Sequence, residues 1–115
     1  MKQFAIIGIS KFGQRMLEEL VDSGSEIILI DKDRERVDLY KDQVGAAYVA
    51  DALNEDVLEK LVPKTIDAAI VDPGDKTEVS ILVVHYLKKL GIREIIAKAD
   101  SDEHEEILKL VGATR

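Results

Sequence analysis

Short apolar runs alternate with segments of helical spacing along the chain. The runs are rich in Val and Ile, which is typical of buried strands, and they cover residues 4–9, 26–30, 46–50, 68–71 and 94–97. Each is followed by a segment in which apolar residues recur every three or four positions, as on one face of a helix. This alternation predicts five strands and five helices in an α/β domain with a parallel sheet.

The expected architecture is a Rossmann-like, doubly wound parallel sheet with strand order 3-2-1-4-5. Right-handed crossovers then place a ligand crevice between strands 1 and 4, at the carboxyl ends of the strands. Charged or small residues stand at each of these ends, in residues 8–13, 31–33, 51–52 and 71–74 and at Lys98. Because the chain stops soon after the fifth helix, a sixth strand is missing or is supplied from elsewhere, and a bare edge of strand 5 would favour self-association.

Two sequence patterns mark the starts of the last two predicted helices. Asp75-x-x-Glu78 and Asp102-x-x-Glu105 resemble capping boxes, in which the first side chain accepts from a free backbone N–H of the helix. We therefore expect Asp75 and Asp102 to be capping residues.

Composition narrows the class of protein. A chain of 115 residues fits one domain spanning 1–115. The net charge of -7, without a basic cluster, argues against nucleic-acid binding, because neutralising phosphates requires concentrated Lys and Arg. No apolar run is long enough for a membrane span, so direct membrane insertion is not expected. With no Cys and two distant His residues, disulfides are excluded and a metal site is not expected.

The loop Gly8-Ile9-Ser10-Lys11-Phe12-Gly13 follows the first apolar run, and Asp31 ends the second. In a dinucleotide-binding turn, the first glycine permits a tight turn, helix N–H groups face a pyrophosphate, and a downstream carboxylate accepts from the ribose hydroxyls. Ser10 stands where the middle glycine normally lets the backbone approach phosphate. The alternative interpretation is an ordinary strand-to-helix turn, with Asp31 capping a helix that begins near Asp33.

These residues carry a resemblance to a known family. The matching segments are Phe4-Ala-Ile-Ile-Gly-Ile-Ser-Lys-Phe-Gly13, Leu29-Ile-Asp31, Val49-Ala-Asp51-Ala52, Ala69-Ile-Val-Asp72, and Lys98-Ala99 followed by His104 and Leu110-Val-Gly-Ala113. Over essentially its full length the chain resembles the RCK or KTN (TrkA-N) nucleotide-binding domains that regulate potassium channels and transporters. The Lys11-Phe12-Gly13 end of the glycine loop is most similar to that of the Ktr-type gating subunits, which bind ATP and ADP.

The resemblance implies a role for each matching residue. Gly8, Ser10, Phe12 and Gly13 would line the phosphate turn, and Lys11 would reach a terminal phosphate. Asp31 would bind the ribose, with Lys32 and Arg36 beside it. The remaining positions are Asp51 and Ala52 at the adenine, Val71 and Asp72 on the strand-4 wall, and Lys98 at the end of strand 5. The family usually has glycine where Ser10 stands.

Three of these residues have simpler interpretations. Lys11 could be a solvated lysine on a first helical turn, although the helix dipole disfavours a cation there. Lys98 could be an exposed strand end or pair with Asp100 or Glu103. Asp72 could merely end strand 4, and beside a phosphate its charge would have to be offset by a lysine, a magnesium ion or distance.

The resemblance implies a cytoplasmic regulatory subunit, without catalytic activity, that couples nucleotide binding to gating of a membrane potassium transporter. ATP or ADP is the first choice of ligand and NAD or NADH the second, bound by a homodimer or a higher ring. Replacing Lys11 with Ala should then lower ATP affinity more than ADP affinity. The alternatives are the NAD-binding domain of an oxidoreductase and a scaffold whose site is inactivated by Ser10.

Overall fold

The computed structural model describes residues 1–72, 74 and 76–115, and it forms an α/β domain with one parallel sheet. Strands and helices alternate in the order β1 Gln3–Ile7, α1 Lys11–Asp22, β2 Glu26–Asp31, α2 Arg34–Tyr40, β3 Ala46–Val49, α3 Glu55–Leu61, β4 Ala68–Val71, α4 Thr77–Lys89, β5 Ile95–Ala97 and α5 Asp102–Val111. A short 3-10 turn, Lys41–Gln43, follows α2. The strand order is β3-β2-β1-β4-β5, as predicted.

Strand β1 lies at the centre of the sheet, between β2 and β4. Successive side chains of a strand point to opposite faces. Ala5 and Ile7 therefore belong to the core beneath α3 and α4, whereas Ile6 belongs to the core beneath α1. Helices cover both faces, so the central strands are apolar throughout, as is typical of parallel sheets.

Strand β1 ends two residues before the end of the apolar run at residues 4–9. The strand ends at Ile7 because Gly8 has a φ of 89°, a backbone conformation that an L side chain rarely adopts. Ile9, although apolar, lies in the loop and packs beneath α1. The strand thus ends at the glycine turn that opens the predicted site.

The predicted cap at α5 is wrong by one residue. Ser101, not Asp102, is the capping residue: its side chain accepts from the backbone N–H of His104, and Asp102 is the first residue of the helix. The other predicted cap, Asp75, lies outside the described residues.

The described sheet has five strands with β5 at its edge, and the last residues of the chain pair with part of that edge. The N–H of Arg115 donates to the carbonyl of Ile95, and the N–H of Ala97 donates to the carbonyl of Arg115. This is the pattern of a parallel strand pair, so the edge of β5 is partly covered by residues of its own chain.

None of the helices within the described ranges is both long and apolar enough to cross a membrane.

Candidate nucleotide-binding crevice

A cavity of about 430 Å³ opens at the carboxyl ends of β1, β2, β3 and β4. This is the edge at which ligands bind in doubly wound sheets. Of the residues that the sequence predicted for the site, the cavity is lined by Gly8, Ser10, Asp31, Lys32, Arg36, Asp51, Ala52, Val71 and Asp72. The structure therefore brings together residues from four separate strand ends.

Asp31, the last residue of β2, is held by two backbone donors. Its Oδ2 accepts from the N–H of Ile9 at 2.8 Å, and its Oδ1 accepts from the N–H of Asp33 at 2.8 Å. The residue is 8% exposed. A carboxylate offers about four acceptor sites, so Asp31 retains sites for ligand hydroxyls after these two bonds. It does not cap α2, because that role belongs to Asp33.

Asp72 follows β4 directly, and its carboxylate lies against the N-terminus of α1. Its Oδ2 accepts from the N–H of Gly13 at 2.7 Å and from the N–H of Ser10 at 3.2 Å, and it also bonds the Ser10 hydroxyl. The residue is 1% exposed. Asp72 thus does more than end the strand: it supplies a negative charge to a helix whose own first turn has no acidic residue.

Gly13 is the residue that lets Asp72 come so close. A Cβ at this position would lie 2.6 Å from the carbonyl oxygen of Gly8 and 3.3 Å from Oδ2 of Asp72. The second glycine of the motif is therefore required by close packing of the helix against the turn.

Four predicted residues lie outside the lining of the crevice. Gly13 is buried in the first turn of α1, and Lys11, Phe12 and Lys98 line a separate depression beside this helix. The Nζ of Lys98 lies 3.9 Å from Oδ1 of Asp100, an ion pair between two exposed side chains. In this single chain, Lys11 and Lys98 therefore do not line the crevice itself, and their contact with a ligand stays a prediction.

The sequence prediction missed part of the lining. Lys76 precedes α4, and Val79 and Val83 lie on the side of that helix that faces the cavity. The two valines recur at helical spacing in the sequence, but such a stripe alone does not show that it reaches a ligand site. Leu53 and Asp33 complete the rim on the side of β2 and β3.

The described lining residues carry more negative than positive charge. The carboxylates are Asp31, Asp33, Asp51 and Asp72, against Lys32, Arg36 and Lys76. One of the cations is already engaged, because the Nε of Arg36 lies 3.6 Å from Oδ2 of Asp33. The crevice therefore combines a hydrogen-bonding carboxylate with a described lining of four carboxylates and three cationic side chains.

The sheet order, the glycine turn and the crevice define a Rossmann-type α/β domain. A family model described as the TrkA-N domain matches residues 4–115. The chain belongs to this family, and the resemblance to RCK and KTN domains seen in the sequence is confirmed.

Two curated relatives are potassium-uptake proteins of Bacillus subtilis (strain 168). The chain is 36% identical over 112 residues to Ktr system potassium uptake protein C and 34% identical over 114 residues to Ktr system potassium uptake protein A. These matches cover 97% and 99% of this chain. They cover 51% of each relative, so the chain spans about half of their length.

Solved structures share the fold at low sequence identity. The NAD(P)-binding domain of an exopolyphosphatase-related protein from Archaeoglobus fulgidus superposes with a TM-score of 0.87 at 22% identity, over 99% of this chain and 85% of that one. The GsuK channel bound to NAD superposes with a TM-score of 0.83 at 18% sequence identity, and the match covers 97% of this chain and 20% of the channel chain. The Kef C-terminal domain of Shewanella denitrificans, in an AMP-bound form, superposes with a TM-score of 0.78 at 22% sequence identity. This match covers 95% of this chain and 67% of the Kef chain.

Proposed function

We propose that this chain is a regulatory domain of a potassium-uptake system, and that it binds an adenine nucleotide in the crevice. Binding alters the geometry of a homodimer or a higher ring on the cytoplasmic face of the membrane, and a membrane transporter subunit responds. The domain itself catalyses no reaction. Such a sensor works only if its ligand binds two conformations with different affinity.

The observation that carries the proposal is the position of Asp31 in the crevice. Its two oxygens are oriented by the N–H groups of Ile9 and Asp33, so the carboxylate is held in place before a ligand arrives. Ribose hydroxyls are the donors expected opposite such a carboxylate at the end of the second strand. Asp51 and Ala52, at the end of the neighbouring strand, would then border the adenine.

The relatives and neighbours support the same assignment. The Bacillus subtilis proteins are named for potassium uptake, and among the structural neighbours one channel is bound to NAD and one Kef domain to AMP. Each of these two ligands contains adenosine. ATP or ADP as first choice and NAD or NADH as second remain predictions for this chain, and adenosine is the part common to all of them.

Thermal unfolding with a panel of adenosine, AMP, ADP, ATP, NAD and NADH tests the proposal. A ligand that binds the folded state at a hundred times its Kd stabilises it by about 2.7 kcal/mol, so at least one compound should raise the Tm by several degrees. Asp31→Asn should remove about half of that rise or more, because the loss of a charge-assisted hydrogen bond weakens affinity about tenfold or more, and a tenfold loss lowers the stabilisation from about 2.7 to about 1.4 kcal/mol.

Asp67→Asn is the matched control. Asp67 also accepts a backbone N–H, from Gln3 at 2.8 Å, but it lies at the amino ends of the strands, away from the crevice. This variant should keep the ligand-induced rise in Tm. If no adenine compound shifts the Tm of the wild type, the domain is a scaffold with an inactive site. Oxidation of NADH by this chain with a candidate substrate would instead favour an oxidoreductase.

A further inference from the structure

The N-terminus of α1, where a dinucleotide-binding turn holds pyrophosphate, is occupied by a carboxylate of the chain itself. Three donors of the turn converge on Oδ2 of Asp72: the N–H of Ser10, its hydroxyl, and the N–H of Gly13. With Asp72 only 1% exposed, this contact is part of the packed structure.

Phosphate and carboxylate compete for these donors. Both are anions, both are stabilised by the N–H groups and the dipole at a helix N-terminus, and each N–H group has one hydrogen to donate. A phosphate oxygen within bonding distance of the Gly13 N–H would also lie close to Oδ2 of Asp72, and the two negative charges would repel each other. A ligand can use this position only by displacing Asp72.

Ser10 and Asp72 act as a pair. Ser10 stands where glycine would leave the turn open for a phosphate, and its hydroxyl adds a bond to the carboxylate that a glycine could not make. Beside a bound phosphate, the negative charge of Asp72 would have to be offset by another group. Here the charge is offset by the turn itself.

We infer that the crevice selects the adenosine part of its ligand and discriminates against a pyrophosphate at α1, so that adenosine binds at least as tightly as ADP, ATP or NAD. This inference rests on the proposed function, because it takes the crevice to be an adenosine site. The excess of carboxylates in the described lining works in the same direction.

Isothermal titration of the chain with adenosine and with ADP tests this selectivity. In the wild type, we expect the Kd for ADP to equal or exceed that for adenosine. In Asp72→Ala, the donors of Ser10 and Gly13 are released, and ADP affinity should rise about tenfold or more, since a hydrogen bond to a charged group contributes at least that factor. Adenosine affinity should stay within about twofold, because the ribose and adenine contacts are untouched.

Asp67→Asn is the control for the loss of a carboxylate as such. It removes one negative charge and the acceptor of a backbone N–H, that of Gln3, at the amino ends of the strands and away from the crevice. It should change ADP affinity much less than Asp72→Ala does. If Asp72→Ala fails to fold, as judged by circular dichroism, Asp72→Asn keeps a side chain at the turn without its charge and should shift selectivity in the same direction.

Three results would overturn the selectivity while leaving the proposed function intact. They are a wild type that binds ADP or NAD more than tenfold tighter than adenosine, an Asp72 variant that improves adenosine and ADP equally, and an Asp67→Asn variant that matches the gain. Failure of every adenine compound to bind the wild type and the variants would reject the proposed function itself, and the selectivity with it.

Discussion

Gly13 shows how one residue type can be required by space. Replacing Gly13 with Ala would place a methyl group 2.6 Å from the carbonyl oxygen of Gly8, so the helix or the turn must shift. Overpacking of this kind costs about 1–3 kcal/mol, whereas Gly to Ala inside a helix otherwise gains about 0.5–1 kcal/mol. A net loss in free energy of unfolding, measured in urea, would therefore demonstrate the close contact.

Gln14→Ala is the neighbouring control, because Gln14 is exposed on the same helix turn. Its free energy of unfolding should change by less than about 0.5 kcal/mol. A stabilised Gly13→Ala variant would show that the turn and α1 are not packed as described.

The sequence predicted which residues belong to the site better than it predicted which groups those residues contact. The motif and the resemblance pointed to Asp31 and Asp72 as site residues, and both line the crevice. That Asp72 bonds the α1 turn depends on the register of β4 beside β1 and on the direction of a side chain. Neither follows from hydrophobic periodicity. Ser10 was a local signal of a changed turn, but its partner lies 62 residues away in the chain.

Two residues at the start of α5, Ser101 and Asp102, can be compared as capping residues. Ser101→Ala removes the side chain that accepts from the His104 N–H and should lower the free energy of unfolding by about 1 kcal/mol. Asp102→Ala removes only a charge near the helix N-terminus, for which about 0.3–1 kcal/mol is typical. Urea unfolding of the two variants compares them directly, and a larger loss for Asp102→Ala would restore the cap predicted from the sequence.

The elements themselves were largely predictable because strand and helix periodicities differ and each run is strongly apolar. Strand order followed from the handedness of crossovers together with the usual doubly wound arrangement, and both are independent of side-chain detail. The errors lie at element ends. Gly8 ends β1 before Ile9, and Thr114 and Arg115 pair with β5 although no apolar run marks them as a strand. Backbone conformation and tertiary pairing decide such boundaries, and a periodic pattern does not encode them.

At the scale of the whole molecule, electrostatics separates two kinds of nucleotide site. A site that holds phosphates with Lys and Arg loses affinity as salt is added, because screening weakens the attraction. This chain has a net charge of -7, and carboxylates outnumber cations in the described lining of its crevice. Its overall field repels a polyanion instead.

We therefore expect ATP affinity to rise when NaCl is increased from 0.01 M to 0.15 M, a change that shortens the screening length from about 30 Å to about 8 Å. Adenosine is the uncharged control, and its affinity should stay constant over the same range. Titration calorimetry at both salt concentrations measures the two trends. A fall in ATP affinity with salt, alongside constant adenosine binding, would mean that cations hold the phosphates, and Lys76 and Lys32 would be the first residues of the crevice to test.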